Sequence, residues 1–291
     1  MEFKKVATEL GSVVTTYHDG YKTLNGHTRA GVKLSRPVEA GTMWDSAKTK
    51  CPFHRADEQS LAEYGGEGGV IRVLGNRFTP HHKHRLIIPK ACTDEEFVRT
   101  LGGPAFLTRS LEIIGELAGR EPEEWVFAAH VLRGQNVPHL HWHLYAYHPE
   151  EEVDLKREAA WTVHEENSNL VLWTTEEFEV VARGTKVGQL MIVPMPLLNE
   201  VGPWPSPFKE VAHSLHAIIQ LTNEAFRSPQ GERPRYSVTG RIGKDGRIRY
   251  VTYVPDLQMY GCSDDAADFN GTARSRAWSP EETADHLKKF K

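Results

Sequence analysis

One order of sequence patterns occurs twice along the chain, and it constrains the fold more than any other feature. Residues 70–148 contain strand-like runs, including RLIIP, then a helix-like segment, then the strand-like runs WVFAAHVL and HLHWHLYAY. From residue 169 onward the order repeats, with LMIVP in place of RLIIP and a final hairpin around the turn GKDG. This succession predicts an α+β fold built by duplication of one unit, an antiparallel sheet with a helix packed on it.

The repeat divides the chain into two predicted domains. Residues 1–150 comprise a turn-rich N-terminal arm, in which we expect short strands, and the first repeat, and residues 151–291 comprise the second repeat. The first repeat ends with HLHWHLYAY, whereas the second has RIRYVTYVP in the corresponding strand. We therefore predict a catalytic first repeat and a degenerate second one, in which Arg247 and Arg249 either bind a substrate phosphate, as arginine can, or are simply solvated.

Composition excludes several classes of partner. The net charge of -4 and the pI of about 6.4 argue against a nucleic-acid backbone or an anionic membrane as the main partner. The sequence has no apolar run of the roughly 18 residues that a membrane span needs. The start of the chain also lacks the pattern of a secretory signal, and three cysteines are typical of a reduced compartment. We expect a cytoplasmic protein.

Three histidines at two-residue intervals mark the candidate site. In a β-strand, alternate side chains project from the same face, so His139, His141 and His143 would share one surface while apolar residues cover the other. Three neighbouring imidazoles are costly unless a metal, a phosphate or a hydrogen-bond chain engages them. Two interpretations follow: all three bind a catalytic metal, or the central ring attacks a phosphorus atom.

The residues before the histidines favour the nucleophile. Gly134 permits a close approach of the backbone to a ligand, and Gln135 and Asn136 carry amides that can donate hydrogen bonds to phosphoryl oxygens. A three-histidine metal site would not require such donors.

Four segments resemble one protein superfamily. GQNVPHLHWHL resembles the signature of the histidine-triad (HIT) superfamily, and GNRFTPHHKHRLIIPK resembles its second signature. RPVEAGTMWDSAKTKCPFH is similar to the Arg-Pro and Cys-Pro-Phe-Cys elements of the galactose-1-phosphate uridylyltransferase branch, and WSPEETADHLKKF resembles the C-terminal end of that branch. The branch contains two HIT-like repeats, which matches the order described above.

The resemblance implies a nucleotidyltransferase or phosphorylase that acts on a nucleotide sugar or dinucleotide. The acceptor would be phosphate or a sugar phosphate. His141 would accept the nucleotide covalently, and the implied catalytic and substrate-binding residues beside it are His143, Gln135, Asn76, Gly134, Asn136 and His84.

Two alternatives stay open. Transferases of the uridylyltransferase branch commonly have glutamine where this chain has His143, whereas hydrolases and some phosphorylases carry a third histidine. The first alternative is therefore a nucleotide hydrolase with water as acceptor. The second is a nucleotide-binding or metal-binding module without turnover, against which the retention of His141 beside GQN argues.

A metal site is also implied by the resemblance. Cys51 and His54 have a two-residue gap typical of zinc knuckles, and Cys92 follows RLIIPKA. In the uridylyltransferase branch the first histidine of the triad completes such a site, so Cys51, His54, Cys92 and His139 would bind zinc, or iron, in a structural role. A homodimer is a further partnership that the sequence leaves open.

Overall fold

The structure is a computed structural model. It describes residues 2–8, 11–17, 53, 60–75, 83–91, 94–131, 139–146, 169–183, 189–194, 208–227, 231, 233–256 and 280–290.

Two strands near the N-terminus form a small sheet of their own. β1 (Glu2–Thr8) and β2 (Gly11–Tyr17) pair antiparallel along their whole length. Short strands of this kind were expected in the N-terminal arm.

Ten further strands of the described residues form the main sheet. The first half of the chain contributes β3 (Ser60–Tyr64), β4 (Ile71–Gly75), β5 (Arg85–Pro89), β6 (Trp125–Val131) and β7 (Trp142–Ala146). The second half contributes β8 (Asn169–Thr174), β9 (Phe178–Arg183), β10 (Leu190–Pro194), β11 (Arg235–Ile242) and β12 (Ile248–Asp256). All except β3 coincide with strands that the sequence patterns predict.

Four helices are described, and the sequence explains where the first two begin. They are α1 (Glu95–Arg99), α2 (Gly103–Gly119), α3 (Phe208–Ala225) and α4 (Pro280–Lys288). The Asp94 side chain accepts a hydrogen bond from the Phe97 amide at 2.8 Å and so caps α1. Gly102, at φ 84°, adopts the left-handed conformation that separates α1 from α2. No described helix has both the length and the apolar composition to cross a bilayer.

The strands of both halves join in one continuous sheet. Its order is β3-β4-β5-β7-β6-β11-β12-β10-β9-β8, and every neighbouring pair is antiparallel. Counted from its outer edge, each half has the same order. The α+β class is confirmed. We expected one sheet in each half, but β6 and β11 pair, so the two halves form a single sheet. This pairing satisfies backbone N–H and C=O groups that would otherwise lie unpaired at a sheet edge. We call the β6–β11 pairing the seam. Duplication would produce this order, and duplication itself remains a prediction.

Both long helices lie on the same face of the sheet and pack against each other. A Cβ added to Gly115 of α2 would overlap the Phe208 ring of α3, with 2.9 Å to Cδ2, the most distant of the three nearest ring atoms. One core cluster contains apolar residues of both helices and of strands from both halves. The histidine side chains described below lie on the opposite face, which we call the site face.

Candidate active site

The apolar side of the histidine strand is buried as its alternation predicts. Leu140, Trp142 and Leu144 are fully buried in the core, whereas His143 and Tyr145 are only partly buried. The strand itself is shorter than expected, because β7 begins at Trp142. The first two histidines therefore lie in the segment that leads into β7, and only the third lies in the strand.

A backbone hydrogen bond fixes the tautomer of His141. Its Nδ1 lies 2.7 Å from the carbonyl oxygen of His139. Because a carbonyl oxygen only accepts hydrogen bonds, Nδ1 must carry a proton, and in the neutral ring the lone pair is then on Nε2. The ring is largely buried, with 9% of the residue exposed. This arrangement presents one defined nitrogen as a nucleophile.

His143 is coupled to His84 of the segment that leads into β5. The Nδ1 of His143 and the Nε2 of His84 are 2.9 Å apart, with ring centroids at 5.1 Å. A hydrogen bond between two ring nitrogens needs one proton between them, so the protonation of one ring sets the tautomer of the other. The His143 ring also lies 4.9 Å from the His141 ring, centroid to centroid. The predicted substrate-binding His84 is thus brought into the histidine group.

His139, two residues before His141 in the sequence, is buried, with 1% of the residue exposed. Its Nε2 donates to the carbonyl oxygen of Pro89 at 2.9 Å, which fixes the ring and makes Nδ1 the nitrogen that a metal would take. The ring of Phe53 lies 5.3 Å from the His139 ring and 5.6 Å from the His141 ring.

A fifth imidazole in the histidine group, that of His130, was not predicted from the sequence. His130 of β6 has its Nδ1 2.9 Å from the hydroxyl oxygen of Ser237 on β11, and its ring centroid is 6.0 Å from that of His143. The only sequence signal was a polar residue in the otherwise apolar run WVFAAHVL. Only the pairing of β6 with β7 and β11 shows that this polar residue lies beside the triad.

Comparisons with proteins of known structure agree on the fold. An ADP-glucose phosphorylase from Arabidopsis thaliana, with bound ADP-glucose, matches with a TM-score of 0.53 at 13% identity, over 100% of this chain and 98% of that one. A GalT-like protein from Arabidopsis thaliana matches with a TM-score of 0.52 at 14% identity, over 84% and 93%. The chain has the GalT-like fold. A uridylyltransferase matches with a TM-score of 0.50 at 13% identity, over 76% and 84%. No family model and no curated protein matches the sequence.

Within the GalT-like fold, several predicted site residues lie outside the described residues. They are Cys51, His54, Asn76, Cys92, Gly134, Gln135 and Asn136. Their predicted roles therefore stay predictions. Among the residues that are described, no cluster of three or more metal-binding side chains occurs.

The GalT-like fold also shows which residues of the second half correspond to the histidines. β5 ends at Pro89 and β10 ends at Pro194, and these two strands occupy equivalent places in the sheet. When the two prolines are matched, the strand pairings make Thr252 of β12 the counterpart of His143. Tyr250 then corresponds to the central histidine. The second half therefore has a hydroxyl and a phenol where the first has imidazoles.

The same matching is consistent across the seam. Ala128 is opposite His143 in the β6–β7 pair, and Thr239 is opposite Thr252 in the β11–β12 pair. Ala128 and Thr239 are also opposite each other, so corresponding residues of the two halves of the GalT-like fold face each other at the seam. The first half thereby places its histidines close to the second half.

Arg249 is not brought together with the histidines. It lies where the β11–β12 register shifts, since Arg241 pairs with Tyr250 whereas Ile242 pairs with Ile248, so Arg249 is the extra residue of the strand. Its guanidinium pairs with Asp245 at 2.9 Å and is exposed. Tyr253 is a core residue, and burial raises the pKa of its hydroxyl. The choice predicted for Arg249, between binding a substrate phosphate and being solvated, stays open.

Proposed function

We propose that this chain is a nucleotidyltransferase or phosphorylase that acts on a nucleotide sugar or dinucleotide through a covalent intermediate on His141. The observation that carries the proposal is the hydrogen bond between His141 Nδ1 and the His139 carbonyl, because it leaves the lone pair on Nε2. The GalT-like fold, which uridylyltransferase and ADP-glucose phosphorylase structures share, supports the general kind of reaction.

The reaction consists of two displacements at one phosphorus atom. In the first, the Nε2 lone pair of His141 attacks the α-phosphorus, a P–N bond forms, and the electron pair of the broken P–O bond leaves with the sugar phosphate of a nucleotide sugar or with the second nucleotide of a dinucleotide. In the second, an oxygen of the acceptor attacks phosphorus, and the P–N electron pair returns to Nε2. Two in-line displacements retain the configuration at phosphorus and give ping-pong kinetics.

Developing negative charge on the phosphoryl oxygens requires hydrogen-bond donors. His143, whose ring is adjacent to His141 and whose tautomer is coupled to His84, is the described candidate for this role. By resemblance, the other donors are the side chain of Gln135 and that of Asn136, with the backbone around Gly134 and the side chain of Asn76 completing nucleotide binding.

Hydrolysis is the second candidate reaction. It is favoured by His143, a third imidazole that could activate water instead of a phosphorylated acceptor. The ratio of hydrolysis to transfer therefore tests the identity of the acceptor rather than that of the nucleophile.

A zinc or iron site is proposed beside the triad. Cys51, His54, Cys92 and His139 supply the two thiolates and two imidazoles that suit a tetrahedral site. Phe53, which lies between Cys51 and His54 in the sequence, has its ring centroid 5.3 Å from that of His139, and this contact supports the proposal. When bound, the metal would hold the segment around Phe53 to the histidine segment, and it takes no part in the displacements.

Covalent labelling tests the proposal. The enzyme is incubated with a nucleotide sugar carrying ³²P at the α-position, denatured and digested. We expect an acid-labile, base-stable label on the peptide that contains His141. His141→Ala should lose both label and turnover, whereas His213→Ala, at an exposed position on α3, should keep both. A His141→Ala enzyme with turnover within about tenfold of the parent would contradict the nucleophile assignment.

A further inference from the structure

His130 occupies a position on the site face next to the triad. Ala128 is directly opposite His143, and His130 lies two residues further along β6, so its side chain projects from the same face. The side chain of Ala128 ends at its Cβ, and the rings of His130 and His143 lie 6.0 Å apart, centroid to centroid. His130 is only partly buried, as is His143.

The orientation of His130 comes from the second half of the chain. Ser237 is opposite His130 in the seam, is 1% exposed, and has its hydroxyl oxygen 2.9 Å from His130 Nδ1. A serine hydroxyl can either donate or accept, so this bond persists whichever ring nitrogen carries the proton. When the hydroxyl donates, the ring proton is on Nε2, and His130 becomes a hydrogen-bond donor through that nitrogen.

The rings of His141 and His130 both lie near that of His143. The His143 ring lies 4.9 Å from the His141 ring and 6.0 Å from the His130 ring, centroid to centroid. His130 lies toward the end of β7 that His141 precedes, since its neighbour Ala129 pairs with Trp142. Because His143 and the segment before the triad already provide the donors assigned to the α-phosphoryl oxygens, a donor on β6 is suited to the group attached to the α-phosphorus.

We propose that His130, held by Ser237, binds the phosphate group that leaves in the first displacement and the phosphate group that enters in the second. The inference rests on the proposed function and narrows it to phosphorylated acceptors. In a double displacement, leaving group and acceptor occupy the same side of the phosphorus atom in turn, so a single phosphate site serves both steps. Imidazole N–H groups bind anions through charge-assisted hydrogen bonds, which favours phosphate over an uncharged acceptor.

Binding of inorganic phosphate tests the site without turnover. Calorimetric titration of the full chain should detect phosphate binding, and His130→Phe, which keeps a ring but has no donor, should weaken it at least about tenfold, the size expected for a hydrogen bond to a charged group. His130→Ala is a second variant in case the phenyl ring impairs folding. His213→Gln, the matched exposed histidine, should bind phosphate as the parent does. Equal binding by parent and His130 variants, or none by the parent, would overturn the site.

Kinetic measurements distinguish phosphate binding by His130 from the support that Ser237 gives to His130. His130→Phe should raise the KM for phosphate or sugar phosphate at least about tenfold and slow the labelling of His141, while the amount of label reached at saturating nucleotide sugar is retained. Ser237→Ala should raise the same KM by less, and Ser237→Thr, which keeps the hydroxyl, should restore it. Loss of the final amount of label on His141 together with acceptor binding would show a merely structural role of His130.

The two proposals fail in different ways. If the parent binds phosphate through His130 but no nucleotide label forms on His141, the covalent mechanism is wrong and the phosphate site stands. If the label forms and the His130 variants keep the parent's KM for the acceptor, the phosphate site is wrong and the covalent mechanism stands.

Discussion

Gly240 lies in the seam, and replacing it with alanine tests how closely the two halves pack. Gly240 is opposite Phe127 in the β6–β11 pair. A Cβ at this position would overlap three carbons of the Phe127 ring, the most distant of them, Cε2, at 2.6 Å. Ordinary carbon–carbon contacts are about 3.5–4.0 Å, so the ring would have to retreat by at least about 1 Å.

The surroundings of Phe127 resist that movement. The ring is fully buried, and its centroid lies 6.1 Å from that of Trp142, which is also fully buried and separates His141 from His143 in the sequence. Overpacking of this kind costs about 1–3 kcal/mol, against a gain of up to about 1 kcal/mol from replacing glycine within a strand. We expect Gly240→Ala to lower the free energy of unfolding by about 1–2 kcal/mol and to reduce labelling of His141 through displacement of Trp142.

Urea denaturation of parent and variant measures the change, with Gly243→Ala as the matched control. In the control, the three atoms nearest to the added Cβ all belong to the guanidinium of Arg249, the far end of an exposed and flexible side chain that can move away. Its free energy of unfolding should stay within about 0.5 kcal/mol of the parent value. Equal stabilities of Gly240→Ala and Gly243→Ala would refute the packing described at the seam.

Three further predictions concern the site and its surroundings. His143→Gln should lower hydrolysis relative to transfer if this ring activates water, and an unchanged product ratio would remove it from acceptor choice. Elemental analysis should find close to one zinc or iron per chain, since a structural metal contributes to folding directly; Cys51→Ser combined with Cys92→Ser should lose metal and thermal stability, and a stable, active, metal-free parent would contradict the site. The Lys83 ammonium holds the pKa of Glu121 below its ordinary value, so Glu121 stabilises the fold above the pKa of the unfolded chain, and this contribution disappears as pH falls through the folded-state pKa. Glu121→Gln should therefore flatten the acid limb of the stability profile measured by denaturation.

Sequence patterns predicted the local structure well where periodicity was strong. The alternation around Trp142 and the paired strands before Pro89 were correctly interpreted, because each strand has one fully buried face. β3 was missed since its five residues, SLAEY, alternate only between partly buried and exposed positions and carry little apolar signal.

The candidate site was less accessible to sequence reasoning, because parts of it depend on pairing between distant strands. The nucleophile candidate His141 could be chosen from local spacing, but the bond between His130 and Ser237 joins residues 107 positions apart. The register shift beside Arg249 was inaccessible for a related reason: only the pairing of β11 with β12 shows it, and a shift of one residue reverses the face from which the following side chains project.

The position of the seam has a consequence for folding kinetics. Contacts between residues far apart in sequence form slowly, because closing the long loop between them costs conformational entropy before the contacts contribute any stabilising energy. The first half can pair β3 to β7 during synthesis, but β6 has no neighbour on its other side until β11 arrives. Until then the nascent chain exposes an unpaired strand that is prone to aggregate. The hydrogen bond that orients His130 belongs to this late step, so the complete site should appear only when both halves of the chain have folded together.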